Sequence, residues 1–305
     1  MITLIAAHQL RMLRRERLFL AILIALLFMT ALAGFIGWSS HNTIVKVYED
    51  SSAMLASEGK PAPPDPFRLK PPLSFLSNMT IYIMLIGALL AIIVGHLAIA
   101  SDRASGSTRL IFTRPVRRST YFVGKLAGIG AALAVILAAS YVLSIISLVI
   151  VNDSLPTAEE FGRLALFYLV SLSYMLLFAL VGVAAALIVH GRSLALLVAL
   201  GVWMIVTFMV PQFTSGLRPT ASLNPVVNPV DTSQRFFDVT SHFHSVSISE
   251  LYRDLSAAIL QSAPAQSDSV GSSEIVPISA ILIVLVLLMA VLVNRLDLSE
   301  QASHE

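Results

Sequence analysis

Residues 18–38 read LFLAILIALLFMTALAGFIGW, an unbroken run from Leu18 to Trp38 without a charged side chain. A helix of about 20 such residues crosses the roughly 30 Å hydrocarbon core of a bilayer. Helix is the conformation that this medium demands, because a backbone deprived of water must satisfy its own N–H and C=O groups. Arg11, Arg14, Arg15 and Arg17 precede the run, a basic flank that a secretory leader also carries. The apolar centre of a leader is only about 7–15 residues long, so the stretch is read as an uncleaved first membrane span.

Further apolar runs lie at 75–100, 121–151, 161–189, 193–213 and 276–293. The composition agrees, since 56% of the 305 residues are hydrophobic and 12% charged, and the mean hydropathy is +0.83. That is more apolar surface than a globular core can bury. The expected fold is all-α, a polytopic membrane protein with six transmembrane helices. The third and fourth runs exceed the bilayer's need and are expected to tilt or to continue into water. The chain has no cysteine, which excludes disulfides, thiolate metal clusters and a Cys nucleophile. A net charge of +2 gives no field that would recruit nucleic acid.

Orientation follows from Lys and Arg, which the cytoplasmic side retains. One side collects Arg11, Arg14, Arg15, Arg17, Arg103, Arg109, Arg114, Arg117, Arg118, Lys125, Arg192 and Arg295 in short segments next to span ends. The opposite side spreads its basic residues over long connections that also hold Glu49, Asp50, Asp231 and Glu250. Both termini, 1–17 and 294–305, are therefore expected in the cytoplasm. The two larger external loops are 39–74 and 214–275. The first ends in Pro61, Pro63, Pro64, Pro66, Pro71 and Pro72, which favour extended polyproline geometry. The second contains Leu251, Leu255 and Ile259 at spacing four, a stripe that suits a helix lying on the outer leaflet, capping a cavity, or packing on its neighbours. The N-terminal stretch is read as an interfacial amphipathic helix, with Ile2, Ile5, Leu10 and Leu13 toward lipid and Gln9, Arg11, Arg14 and Arg15 toward water.

The connection 101–120 is the most informative. It carries Ser101-Asp102-Arg103-Ala104-Ser105-Gly106-Ser107-Thr108-Arg109-Leu110-Ile111-Phe112-Thr113-Arg114-Pro115-Val116-Arg117-Arg118. Ser105 or Ser107 suits the N-cap of a short helix, Leu110, Ile111 and Phe112 give it an apolar side, and Pro115 ends it. Such a helix, held between two spans, passes the motion of whatever grips it to both.

These residues resemble the first cytoplasmic loop of the ABC-2 type permeases, approximately D-x-E-x-G-[ST]-L-x-L-L-[LF]-[ST]-x-P-[VI]-x-R followed by G-K. Asp102, Gly106, Ser107, Leu110, Phe112, Thr113, Arg114-Pro115-Val116, Arg118 and Gly124-Lys125 stand in register. Ala104 replaces the acid and Thr108 the leucine. Asn228-Pro229-Val230-Asp231 with Arg235-Phe236-Phe237 is similar to a stretch that precedes the last span in that family. The resemblance implies a non-catalytic permease, paired with a second permease half and driven by a separate ABC ATPase subunit that holds ATP and Mg. It also implies that the loop is a coupling helix, meeting the ATPase through Asp102, Arg103, Gly106, Ser107, Arg109, Leu110, Phe112, Arg114, Pro115 and Arg118. The resemblance also implies a bacterial inner membrane. This chain has no G-x-x-x-x-G-K-[ST] of its own, and Gly124-Lys125 lacks the upstream glycine of a phosphate loop. Lys125 is read as an interfacial anchor.

The other constellations are weaker. His242 and His244 form an H-x-H pair, two candidate ligands for copper or zinc, weighed against solvated loop histidines. His96 and His190 near span ends are read as interface residues rather than proton relays. Glu159-Glu160-Phe161-Gly162-Arg163 falls one residue short of an E-E-x-x-x-R protease motif, and its acids suit a helix N-terminus. Gly124, Gly128 and Gly130 suit close helix packing, including across a dimer seam. An ion-driven carrier or an intramembrane enzyme, the alternative readings, would need acids or interrupted helices at midplane, and the spans contain no acid there.

Overall fold

A computed structural model of the chain describes residues 2–61, 71–104, 118–152, 155–214, 247–262, 279–287 and 291. These residues are mostly helical, with short turns between the helices and no strand among them. Helix α1 (Ile2–Leu13) leads into α2 (Arg17–Ser57); α3 (Asn78–Tyr82) and α4 (Ala88–Ala104) are joined by a π turn at Ile83–Gly87. Helices α5 (Arg118–Asn152) and α6 (Ala158–Ile188) follow. A second π turn at Ile205–Met209 joins α7 (Arg192–Met204) to α8 (Val210–Thr214), and α9 (Ile248–Ile259) comes last among the named helices. Residues 279–287, within the expected sixth span, are also helical.

Five helical stretches are long and apolar enough to cross a membrane: Arg17–Ser57, Pro72–Arg103, Ser119–Val151, Ala158–Ile188 and Arg192–Thr214. The chain is thus an all-α, polytopic integral membrane protein.

Its centre is the crossing of α4 and α6. A side chain at Gly95 would meet the carbonyl of Ala179, and one at Gly182 would meet the carbonyl of Ile92. Without Cβ atoms at these points the two backbones touch, the small-residue solution to helix packing where the hydrophobic effect between helices is absent. Around this seam lie the fully buried Leu90, Ile92, Leu133, Phe167, Tyr174 and Met79. The fifth span, by contrast, leaves Leu194, Leu197, Met204 and Phe208 exposed, an apolar face suited to lipid.

The first connection departs from expectation. It was to begin at Ser39, but α2 continues to Ser57, about 29 Å beyond Trp38 at the helical rise. Residues 39–57 hold neither Gly nor Pro, and the Thr43 and Ser51 hydroxyls bond back to the Ser39 and Val47 carbonyls, four residues earlier. The stop comes at Gly59, whose φ is +70°. Its N–H reaches the Ala56 carbonyl at 3.1 Å and that of Lys60 reaches Leu55 at 2.9 Å, a Schellman closure. Most of the proline stretch, residues 62–70, lies outside the described residues.

At the end of the bundle remote from residues 104 and 118, α9 is driven in among the spans. Tyr252 is fully buried, stacked on Tyr174 with ring centroids 4.3 Å apart and 2.8 Å from the Ser171 hydroxyl. Tyr174 sits near the middle of α6, so α9 reaches deep among the spans. Of the three placements open to this amphipathic segment, packing on its neighbours is the one found. The π turns explain how it is seated. Widening a helix by one residue frees a carbonyl from its usual bond, and here Met84 accepts from the Tyr174 hydroxyl at 3.5 Å while Val206 accepts from Ser249 of α9 at 3.2 Å. The buried carboxylate of Glu250 accepts from Thr214 at the end of α8. Glu250 is thus a buried acid supplied by α9.

The acids of the E-E segment do act at a helix start. Thr157 and Glu160 form a reciprocal capping box on α6, and Glu159 pairs with Arg163 one turn on at 3.0 Å.

Candidate functional site at the basic end of the bundle

The expected coupling segment leaves α4 after Asp102 and Arg103 and enters α5 at Arg118. Gly106, Ser107, Arg109, Leu110, Phe112, Arg114 and Pro115 lie outside the described residues, as do the side chain of Arg118 and the pair His242 and His244. What is described is the root of that segment, and it is built as a polar clamp inside an apolar bundle.

Asp102 is the hub. One of its carboxylate oxygens accepts from the Tyr121 hydroxyl at 2.7 Å and lies 2.7 Å from the Lys125 ammonium. Tyr121 and Lys125 stand one turn apart on α5, so both project from one face. The ammonium also donates to the Gln9 amide oxygen of α1 at 2.9 Å and sits 5.7 Å from the centre of the Tyr121 ring. All four residues are buried, each at 4% exposure or less. A charge taken out of water is tolerated only when paired and hydrogen-bonded, and each charge of this pair meets an additional polar partner.

Arg103, the next residue, reaches the other way. Its guanidinium donates to the Ala186 carbonyl at 2.5 Å and to that of Leu187 at 3.2 Å. These are carbonyls of the last turn of α6, where a helix carries partial negative charge. Adjacent residues at the end of α4 thus bind α1 and α5 on one side and α6 on the other.

Lys125 corrects the interfacial-anchor reading: it is an internal ion-pair partner, 3% exposed. Gln9 corrects the orientation of α1, since it faces α5 and not water. The physical reason is in the glycines. The Cβ missing from Gly124 would meet Ile5, and the one missing from Gly128 would meet Ala6 and Gln9. The groove that these glycines open on α5 is filled by α1 of the same chain, while a Cβ at Gly130 would meet nothing among the described residues. Tyr121 is the member of the clamp that sequence reasoning did not single out, while Gln9 and Lys125 were read as facing water and the interface. A signal existed: Ile5, Gln9 and Leu13 share a spacing of four, which places Gln9 inside the apolar stripe instead of opposite it.

His96 is buried and lines a small cavity with Arg103 and Arg192, whereas His190 is exposed. Among the described residues no group of three or more His, Asp or Glu could hold a metal ion. The clamp joins three helices where a connecting segment is rooted.

A family model described as ABC-2 family transporter protein matches residues 3–298. No curated protein matches the chain.

Proposed function

Since the chain belongs to the ABC-2 transporter family, we propose that it is a permease subunit that takes its power from a separate ABC ATPase through the segment 101–118. ATP and Mg bind on that partner, and this non-catalytic chain converts the partner's closure into movement of its spans. The reading is supported above all by the clamp at Asp102. Force applied to the segment between Arg103 and Arg118 enters α4 and α5 at points already tied to each other, to α1 and to α6, so these helices respond as one body.

In this reading the basic end faces the cytoplasm, with both termini inside and a sixth span at 276–293. The setting is a bacterial inner membrane, and a second permease half completes the pathway. A secondary carrier would need an ion-binding acid carried by the spans at midplane; the spans supply none there, and the buried Glu250 is held by a hydroxyl at the far end of the fifth span. The shortage of charge inside the bundle suits a hydrophobic or lipid-like substrate.

The test is co-purification of the tagged chain from its native membrane in mild detergent, comparing wild type with a variant in which Arg109 and Arg114 are reversed to Glu. The proposal expects an ATPase subunit with the wild type and its loss from the folded variant. Absence of any ATPase, under conditions where a known ABC complex stays intact, refutes it.

A further inference from the structure

Two stretches of the chain spell the pattern by which a helix caps itself, Ser or Thr followed three residues later by Glu: Thr157-Ala158-Glu159-Glu160 and Ser247-Ile248-Ser249-Glu250. The first is closed. The Thr157 N–H donates to the Glu160 carboxylate at 2.7 Å, and the Glu160 N–H donates to the Thr157 hydroxyl at 3.3 Å. The second is open, although Ser247 stands at the N-cap of α9 with the extended backbone that a cap requires, φ −76° and ψ 103°. Its side chain makes no capping bond. Ser247 is 1% exposed, and its hydroxyl has no hydrogen-bond partner among the described residues. Glu250, equally buried, is engaged instead with the Thr214 hydroxyl at the far end of the fifth span.

That engagement is of limited strength. A hydroxyl has one proton, and the Thr214 hydroxyl meets two acceptors, the Glu250 carboxylate and the Val210 carbonyl, the latter at 3.1 Å. In the seated helix one hydroxyl is thus orphaned and another divides its proton. Both shortages are relieved when the carboxylate returns to its own helix: Thr214 bonds Val210 alone, and the Ser247 hydroxyl receives the Glu250 N–H. The other ties of the seat join Ser249 to the Val206 carbonyl and Tyr252 to Ser171, so α9 links the fifth span to α6 only while it is seated.

We propose that Glu250 is a two-position latch: on Thr214 it holds α9 in the bundle, and on the backbone N–H of Ser247 it closes the capping box of an unseated α9. The exchange gives up a bond between α9 and the fifth span for a cap within α9, so the helix leaves its seat without losing its start. Unseating α9 removes its link between the fifth span and α6. The latch lies within this chain and needs no ATPase, so its test is independent of the permease reading.

The chain has no cysteine, so Ser256→Cys gives a single thiol on α9 at a position that is 0% exposed. The purified full chain in lipid nanodiscs is treated with an excess of a water-soluble maleimide. Where reseating outpaces the reaction, the labelling rate reports the population of unseated helix. In this background Thr214→Val removes the seated partner alone. Ser247→Ala and Ser247→Gly both remove the orphaned hydroxyl, but glycine caps a helix nearly as well as serine and alanine does not. The expected result is labelling about tenfold faster in Thr214→Val, as loss of a hydrogen bond to a charged group implies. Ser247→Ala should label more slowly than the background, and about fivefold more slowly than Ser247→Gly. Equal rates in Ser247→Ala and Ser247→Gly, an unchanged rate in Thr214→Val, or labelling that occurs only when dodecyl sulfate unfolds the whole chain overturns the proposal.

Discussion

Cutting the ion pair of Asp102 and Lys125 one partner at a time, and then both together, gives the sharpest test of the clamp. Lys125→Met keeps the length of the side chain and removes the ammonium, leaving the Asp102 carboxylate buried at 4% exposure with the Tyr121 hydroxyl still bonded to it. Asp102→Leu leaves the ammonium with the neutral amide oxygen of Gln9. Stranding one member of a buried pair costs about 3–5 kcal/mol, so each single variant should lose about that much. Removing both partners removes the stranded charge, and apolar replacement of a buried pair is often neutral or better. The double variant still orphans the Tyr121 hydroxyl and the Gln9 amide oxygen, each worth about 1–3 kcal/mol, and should lose no more than the two together. The cycle then shows a coupling of at least about 3 kcal/mol between residues in contact. The assay is equilibrium unfolding in mixed dodecyl maltoside and dodecyl sulfate micelles, read by the fluorescence of Trp38 and Trp203, the chain's two tryptophans. Single variants within about 0.5 kcal/mol of wild type, or a double variant that loses the sum of the singles, would refute the pairing and the force path drawn from it.

Further outcomes follow from the packing. Gly182→Ala places a Cβ against the Ile92 carbonyl, a backbone atom that cannot move aside, and should cost about 1–3 kcal/mol by overpacking in the same unfolding assay. Tyr252→Phe removes only the hydroxyl bonded to Ser171 and should cost about 1 kcal/mol. Tyr252→Ala also removes a ring stacked on Tyr174 and should cost about 3–5 kcal/mol. Gly128→Leu should lift α1 from α5, since the missing Cβ already lies 3.0 Å from the Gln9 side chain; a faster proteolytic cut after Arg11 or Arg14 in the detergent-solubilised protein is the readout.

The spans were legible because their signal is long and redundant: twenty apolar residues in a row admit one solution in a bilayer. Where the signal was local, the reading was poorer. Trp38 looked like the end of the first helix because apolar composition stops there, yet a helix ends only when the backbone is told to, and Gly59 gives that instruction. The acids Glu159 and Glu160 were legible as a helix start, while the part that Thr157 plays in the capping box went unread. The π turns had no such mark. Their carbonyls accept from the hydroxyls of Tyr174 and Ser249, 90 and 43 residues away in sequence, and partners so distant leave no local trace.

The clamp illustrates a further limit. Gln9, Tyr121 and Lys125 each have an ordinary explanation when taken alone: a polar residue on an amphipathic helix, an interfacial aromatic, an interfacial cation. Their meaning depends on Asp102, and Asp102 was noticed only for its place in a motif. Once the glycines at 124 and 128 admit α1 to the surface of α5, Gln9 is brought to Lys125 and a buried carboxylate becomes affordable at the root of the segment. The resemblance pointed to the segment as the place where force arrives. The packing adds where such force would go: through Asp102 into α1 and α5, and through Arg103 into the end of α6, beside the cavity where the fifth span begins.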